Sequence, residues 1–271
     1  MIFLVMFLIL LVAGLYYLYK WMNSSDLKDV VVYSSVDSGL PGKSDRATVY
    51  NTSMVPTLYA GGEYSVSTWI YVTNWGINSG RNKPFLVLSG GPQTSSGFAT
   101  LAMYLGQNVN KLGVRVSNES GSSIGATSTL DYISQMPLLV NGTSPYSDTS
   151  ADFKKCDIDT IDLQRWVNIT AVLSGRTLDI YMDGKLSRSC ILDGLYKVDG
   201  TTTTLSLGGP NGFGGLIGLT RLANFAYSPD QVYNNYQKGP FSSFSILDIS
   251  KYSLDITRNG QSIFAATTKS S

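Results

Sequence analysis

Residues 166–186, WVNITAVLSGRTLDIYMDGKL, carry two reverse-turn signals nine residues apart, Ser174-Gly175 and Asp183-Gly184. Apolar residues alternate between them, and a period of two is the signature of a half-buried strand. With Ser174-Gly175 as a two-residue turn, Ala171 lies opposite Leu178, Ile169 opposite Ile180 and Val167 opposite Met182. These pairs share one face, which must be the buried one. Trp166, Asn168, Thr170, Asp179, Tyr181 and Asp183 share the other, which is polar apart from two large aromatics. Asp-Gly favours a type I′ turn, so a third strand follows it. A chain built around this meander is committed to an antiparallel sheet.

The same pattern recurs from residue 55 onward. YSVSTWIYV (64–72) alternates, with Val66, Thr68, Ile70 and Val72 on one face. KPFLVLSGG (83–91), TLAMYLG (100–106), KLGVRVSN (111–118), TTLSLGG (203–209) and GLIGLTRLANFAYS (215–228) are further strands bounded by turn residues. SPDQVYNNYQKG (228–239) is a short helix: Ser228 caps it, Pro229 takes its first position and Gly239 stops it. Many strands at short spacing predict an all-β sandwich or jelly roll.

Composition excludes several activities. The chain has no histidine, which removes Ser-His-Asp triads, Cys-His nucleophiles and His-containing zinc sites. Its net charge is +1 and no basic cluster stands out, so nucleic acid is not an expected partner. Glutamate is confined to Glu63 and Glu119. Asp179 and Asp183, four apart on one strand, stand about 13 Å apart by strand rise. That is too far for the ~5–9.5 Å of a glycosidase carboxyl pair, and no enzyme is expected.

Residues 2–19 are uninterrupted by charge and include Ile2, Phe3, Leu8, Leu10, Leu15 and Tyr19. As a helix they would span about 27 Å, close to the ~30 Å hydrocarbon core of a bilayer. Tyr16, Tyr17, Tyr19 and Trp21 form an aromatic belt beside Lys20. No basic residue precedes the apolar stretch and no small-residue cleavage site follows it, so an uncleaved single-span anchor is expected over a signal peptide. Lys20 and Lys28 after the span place the domain on the cytoplasmic side by the positive-inside rule. Five sequons, at Asn23, Asn51, Asn118, Asn141 and Asn168, point the other way. The expected organisation is an anchor (1–22), a tether with a first strand (23–54), a β-sandwich (55–240) and a C-terminal extension (241–271). The extension carries β-like runs at 244–249 and 253–257, and is expected along its own domain or on a neighbouring subunit.

QRWVNITAVLSGRTLDIYMDGKLSRS resembles the central signature of concanavalin A-like, laminin-G-like domains: a Trp, an alternating strand, a Gly turn, then Leu-x-x-Tyr-x-(Asp/Asn)-Gly-Lys-Leu. YSVSTWIYV and LSLGGPNGFGGLIGLTRLANFAYSPDQVYNNYQKGP resemble that family's early and closing strands, in the right order. The likeness covers most of residues 55–240 and implies a concanavalin A-like jelly roll of two antiparallel sheets. The N-terminal anchor, the Cys upstream of Leu-Gln-Arg-Trp and GKLSRSC also resemble membrane-anchored laminin-G-like proteins of large double-stranded DNA viruses, minor capsid proteins among them. That resemblance implies a structural protein between a virion's internal membrane and its capsid shell. Its partners would be the lipid bilayer and capsid or other virion proteins. A membrane-anchored, glycan-binding lectin-like module is the alternative.

Candidate sites are few. The only two cysteines, Cys156 and Cys190, flank the meander; two buried thiols or one disulfide would fit, and the bracketing favours the disulfide. CDIDTID clusters Asp157, Asp159 and Asp162, oxygen ligands that would suit Ca²⁺, but the EF-hand pattern is missing and no cofactor is expected. GGPNGFGG (208–215) lacks the Lys-Ser/Thr of a phosphate loop and reads as a flexible bend. For a glycan, Trp75, Tyr104, Tyr146 and Phe213 could serve from loops. The meander face with Trp166, Tyr181, Asp179 and Asp183 would be a glycan-binding or contact surface.

Overall fold

The computed structural model describes residues 28–35, 38–51, 53–59, 61–89, 99–106, 108–117, 153–192, 194–196, 198 and 203–241. Residues 6, 11 and 13–16 and the backbone of 254–258 and 261–266 are also described. Two antiparallel sheets pack face to face as a jelly-roll sandwich. The first runs β1 (Asp29–Tyr33), β13 (Gly214–Ala223), β4 (Glu63–Asn74), β9 (Trp166–Ser174), β10 (Thr177–Met182), β11 (Lys185–Ile191), with β2 (Leu40–Pro41) also on β13. The second runs β3 (Thr48–Tyr50), β12 (Thr204–Leu207), β5 (Lys83–Ser89), β6 (Ala99–Leu105), β7 (Leu112–Ser117), β8 (Phe153–Lys155). The core between them is one cluster in which Val66, Ile70, Ile169 and Ile180 of the first sheet meet Leu86, Leu88, Met103 and Val114 of the second.

The meander forms as its pattern requires, with one correction. Leu178 pairs with Leu173, Ile180 with Ala171 and Met182 with Ile169, two residues off the expected register. The turn is Gly175-Arg176 rather than Ser174-Gly175. Gly175 takes φ +57°, which glycine adopts without a Cβ clash. Because the slip is two residues and not one, every side chain keeps its expected face. The second turn is the expected Asp183-Gly184, with φ +49° and +76°, positive at both positions as a type I′ turn demands.

A single helix of the described domain, α1 (Pro229–Gln237), follows β13. Ser228 accepts the Gln231 N–H and Gln231 returns a side-chain bond to the Ser228 N–H, a complete capping box ahead of Pro229. Beyond it, β14 (Leu254–Arg258) and β15 (Gln261–Ala266) pair as a hairpin. The expected run at 253–257 thus falls on β14, β15 was not expected, and the run at 244–249 lies outside the described residues.

Strand registers define two ends of the sandwich. Lys28, the loop before Glu63, the Gly175-Arg176 turn, Ile191 and the residues after it share one end. The Gly-rich loop 208–214, the Asp183-Gly184 turn and Pro41 share the opposite end.

Of the expected anchor residues, Leu15 is described: it is helical and 57% exposed. Ile2, Phe3, Leu8, Leu10 and Tyr19 lie outside the described residues. Among the described residues, no helix is long and apolar enough to cross a membrane.

Candidate functional site

The meander face expected to be a binding or contact surface is largely covered. Residues 224–241 return across it after β13. Ser65 Oγ donates to the Phe225 carbonyl at 2.9 Å and accepts the Tyr227 N–H at 2.8 Å. Tyr236 of α1 stacks on Trp69 at 5.5 Å, and Phe241 packs edge-on against Trp166 at 5.2 Å. Beneath this cover Ser67, Asn168 and Thr170 form a buried polar cluster, in which Ser67 Oγ accepts from Thr170 Oγ1 at 2.8 Å and from Asn168 Nδ2 at 3.2 Å. Tyr181 is buried; burial raises its hydroxyl pKa above the usual phenol value, and the charge on Asp179 adds to that. Asp179 and Trp166 are half-buried. Asp183 accepts the Asn168 N–H at 2.9 Å and an Arg165 N–H at 2.6 Å, so it fastens a corner.

The cysteines form a disulfide, with Cα atoms 6.2 Å apart. Cys156 follows β8, an edge strand of the second sheet, and Cys190 lies on β11, an edge strand of the first. The bridge therefore closes one side of the sandwich.

The aspartate cluster does not converge on a metal. Asp157 is buried between Arg115, at 2.5 Å, and Lys111, at 2.8 Å. Burial alone would raise its carboxyl pKa, but the two cations outweigh that and hold it below the ordinary aspartate value. Asp162 pairs with Arg165, and Asp159 is exposed. Among the described residues no group of three His, Cys, Asp or Glu side chains could hold a metal ion. The loop aromatics fare likewise. Phe213 is buried edge-on to Phe85, Tyr104 is buried with its ring over Gly113, and Lys83 lies 4.4 Å from the centre of the Trp75 ring. Tyr146 lies outside the described residues.

A cleft of about 420 Å³ opens at the β3 edge of the second sheet, toward the Gly-rich end. Its floor is apolar, from Val49, Pro84 and Val87 with Ala47 beside them. Its rim carries Asp45, Arg46 and Asn211, and one wall is the backbone of Gly208, Gly209 and Gly212. That loop is not the flexible bend expected. Asn78 Nδ2 donates to the Gly212 carbonyl at 2.7 Å and the Pro210 carbonyl at 3.1 Å. Ser44 N–H donates to the Gly209 carbonyl at 3.1 Å, and Gly208 N–H to the Phe85 carbonyl at 2.9 Å. Gly208 has φ +63°, and a Cβ there would meet the Pro41 carbonyl oxygen at 2.8 Å, so only glycine fits. The cleft was missed in the sequence because its lining comes from three segments, 45–49, 84–87 and 206–212, which meet through the β3–β12 and β5–β12 pairings. The available signal was the run of glycines beside a short strand.

No family model and no curated protein matches the chain. Among solved structures it is similar to the CBM40 of Ruminococcus gnavus IT-sialidase bound to alpha2,3 sialyllactose, at 11% identity and TM-score 0.46, over 76% of this chain and 99% of that one. It is also similar to the binding domain of botulinum neurotoxin serotype D, at 11% identity and TM-score 0.45, over 78% of this chain and 46% of that one. A third is the binding domain of botulinum neurotoxin DC in complex with SialylT, at 11% identity and TM-score 0.40, over 65% and 35%. The chain thus spans less than half of the toxin domains it matches. At these values the likenesses carry no argument about a ligand, and the description of the fold rests on its own strand order.

Proposed function

We propose that this chain is a membrane-tethered, non-catalytic binding module whose cleft at the β3 edge takes a glycan. The cleft carries the reading. Its volume falls within the ~300–1,000 Å³ usual for small-molecule sites, and it sets a few polar groups around an apolar floor. Arg46 and Asn211 can bind hydroxyl or carboxylate oxygens, and a wall of glycines, which has no side chains, leaves room for a sugar ring. The tether is supported by the uncharged run 2–19 and by Met6, Leu11, Leu15 and Tyr16, helical residues that are each at least 46% exposed. Exposed apolar side chains on a helix call for an apolar surrounding. A non-catalytic role is supported by Asp157, which is held between Arg115 and Lys111, and by Asp162 and Asp183, which share Arg165. The test is a glycan array probed with the full chain in phosphatidylcholine nanodiscs. Binding to a defined glycan set, weakened at least tenfold by Arg46→Ala or Asn211→Ala, is expected; a flat array refutes the reading.

A second reading, the virion structural protein implied by the sequence resemblance, is favoured by β11. This edge strand is exposed along nearly its whole length, including Leu186 and Ile191. It is fixed at one end by the Asp183-Gly184 turn and near the other by the disulfide. Such an edge suits strand addition by another protein. Cross-links from β11 to a shell protein in purified particles, with a flat glycan array, would favour this reading over the first.

A further inference from the structure

The domain has exposed apolar side chains at both ends, and Val109 (60%), Leu163 (40%) and Leu186 (56%) lie toward the Gly-rich end. Met54 (57%), Tyr59 (65%), Ile191 (67%) and Leu195 (38%) all lie at the Lys28 end of the sandwich. Strand register and loop contacts place them there. Ile191 pairs with Thr177, Thr177 with Ser174, and Ser174 with Glu63, one step beyond the row that holds Lys28 and Asn224. Tyr59 and Leu195 are neighbours: Gly62 N–H donates to the Tyr59 carbonyl at 3.0 Å, Gly61 N–H donates to the Tyr196 carbonyl, and Leu195 Cδ1 lies against Gly61. Met54 is in the loop after β3, which leads to the same end. Exposed apolar side chains need no explanation singly; these four stand out because they surround the point where the chain arrives from residues 2–19.

We infer that this end is a bilayer-contact surface, on which Met54, Tyr59, Ile191 and Leu195 insert into the headgroup boundary of the membrane that holds residues 2–19. The inference rests on the reading of residues 2–19 as a membrane span. Two observations select lipid as the occupant. First, the described domain begins at Lys28, at this same end, and the eight residues 20–27 reach at most about 28 Å when fully extended. This bound keeps the Lys28 end within reach of the bilayer, while the cleft lies toward the other end of the sandwich. Second, the charges are suited to an interface. Lys28 and Arg176 are exposed here against one exposed carboxylate, Glu63, which accepts the Ser174 hydroxyl at 2.7 Å, while Asp29 is paired with Arg221. Aromatic and aliphatic tips beside basic side chains are the composition of a membrane-surface footprint.

The test reconstitutes the full chain in phosphatidylcholine nanodiscs containing a phosphatidylcholine with a photoactivatable group near the glycerol. Cross-linked peptides are then mapped by mass spectrometry. Adducts are expected within 1–22 and on peptides holding Tyr59 and Ile191, with none on 208–214. In the variant carrying Tyr59→Ser and Ile191→Ser, adducts on those two peptides should fall at least fivefold while those within 1–22 persist. Adducts within 1–22 without any at Tyr59 or Ile191 would overturn the contact surface and leave the span standing. The absence of adducts within 1–22 would overturn the span, and the inference with it.

Discussion

The carboxylate of Asp183 accepts the backbone N–H of Asn168 at 2.9 Å, tying the tip of the second hairpin to the adjoining strand β9. Asp183 also sits at φ +49°, where an alanine is strained and an asparagine or glycine is tolerated. Asp183→Ala should therefore lower unfolding stability by about 2 kcal/mol, from the lost bonds and the strained backbone together. Asp183→Asn should cost less than half as much. Urea denaturation of the two variants checks the ratio; equal losses would mean that the backbone conformation contributes nothing.

The disulfide closes a loop of 34 residues. By loop-closure entropy it should stabilise the fold by about 4 kcal/mol. The Cys156→Ser/Cys190→Ser variant should show that loss by calorimetry, and alkylation of the non-reduced protein should find no free thiol. A full complement of alkylated cysteines would refute the bridge.

Asp157 gives the fold an acid sensitivity of definite sign. Arg115 and Lys111 keep its carboxyl pKa below the ordinary value despite burial, which acts the other way. An unfolded aspartate takes up its proton near pH ~4, and the folded one only at lower pH. The stabilisation is thus complete above about pH 5 and is lost as pH falls through the folded value. The urea midpoint should be flat from pH 5 to 7 and drop below pH 4. Asp157→Asn should flatten the drop while costing about 3 kcal/mol at neutral pH, since it removes one charge of a buried pair.

Asn168 is part of a sequon yet is fully buried, its amide donating to Ser67. A glycan there is incompatible with the folded chain. When the protein is directed through a eukaryotic secretory pathway, glycopeptide mapping should find Asn168 unmodified, while the exposed Asn51 is open to the transferase. Occupancy at Asn168 would contradict the covered face.

Asn78 holds the Gly-rich wall of the cleft by two side-chain bonds without lining it. Asn78→Ala should weaken binding of any array-identified glycan by about tenfold, through a looser wall, and lower stability by no more than about 2 kcal/mol. Unchanged affinity would detach the loop from the site.

Much of the fold was legible because period-two alternation decides which side chains face the core, and the meander kept those faces despite its register slip. The slip arose because Ser174-Gly175 and Gly175-Arg176 differ by one residue at each end of the turn, and sequence alone did not separate them. The outer face of the first sheet was misjudged for a different reason. Asn168, Thr170 and Ser67 look like surface residues until Tyr236, far later in the chain, is known to stack on Trp69. Likewise Arg115 and Lys111 lie more than 40 residues from Asp157, so the apparent aspartate cluster gave no sign of its counter-ions.

The strand β1 starts at Asp29, whose carboxylate is gripped by Arg221 at 2.9 Å and by the Tyr227 hydroxyl at 2.8 Å, while the cleft opens toward the other end. A pull between Lys28 and an occupant of the cleft would therefore run along β1 rather than across it. Its ladder with β13 would be loaded in shear, all rungs together, instead of unzipping one by one. The domain is mechanically strongest along the line that joins Lys28 to its cleft.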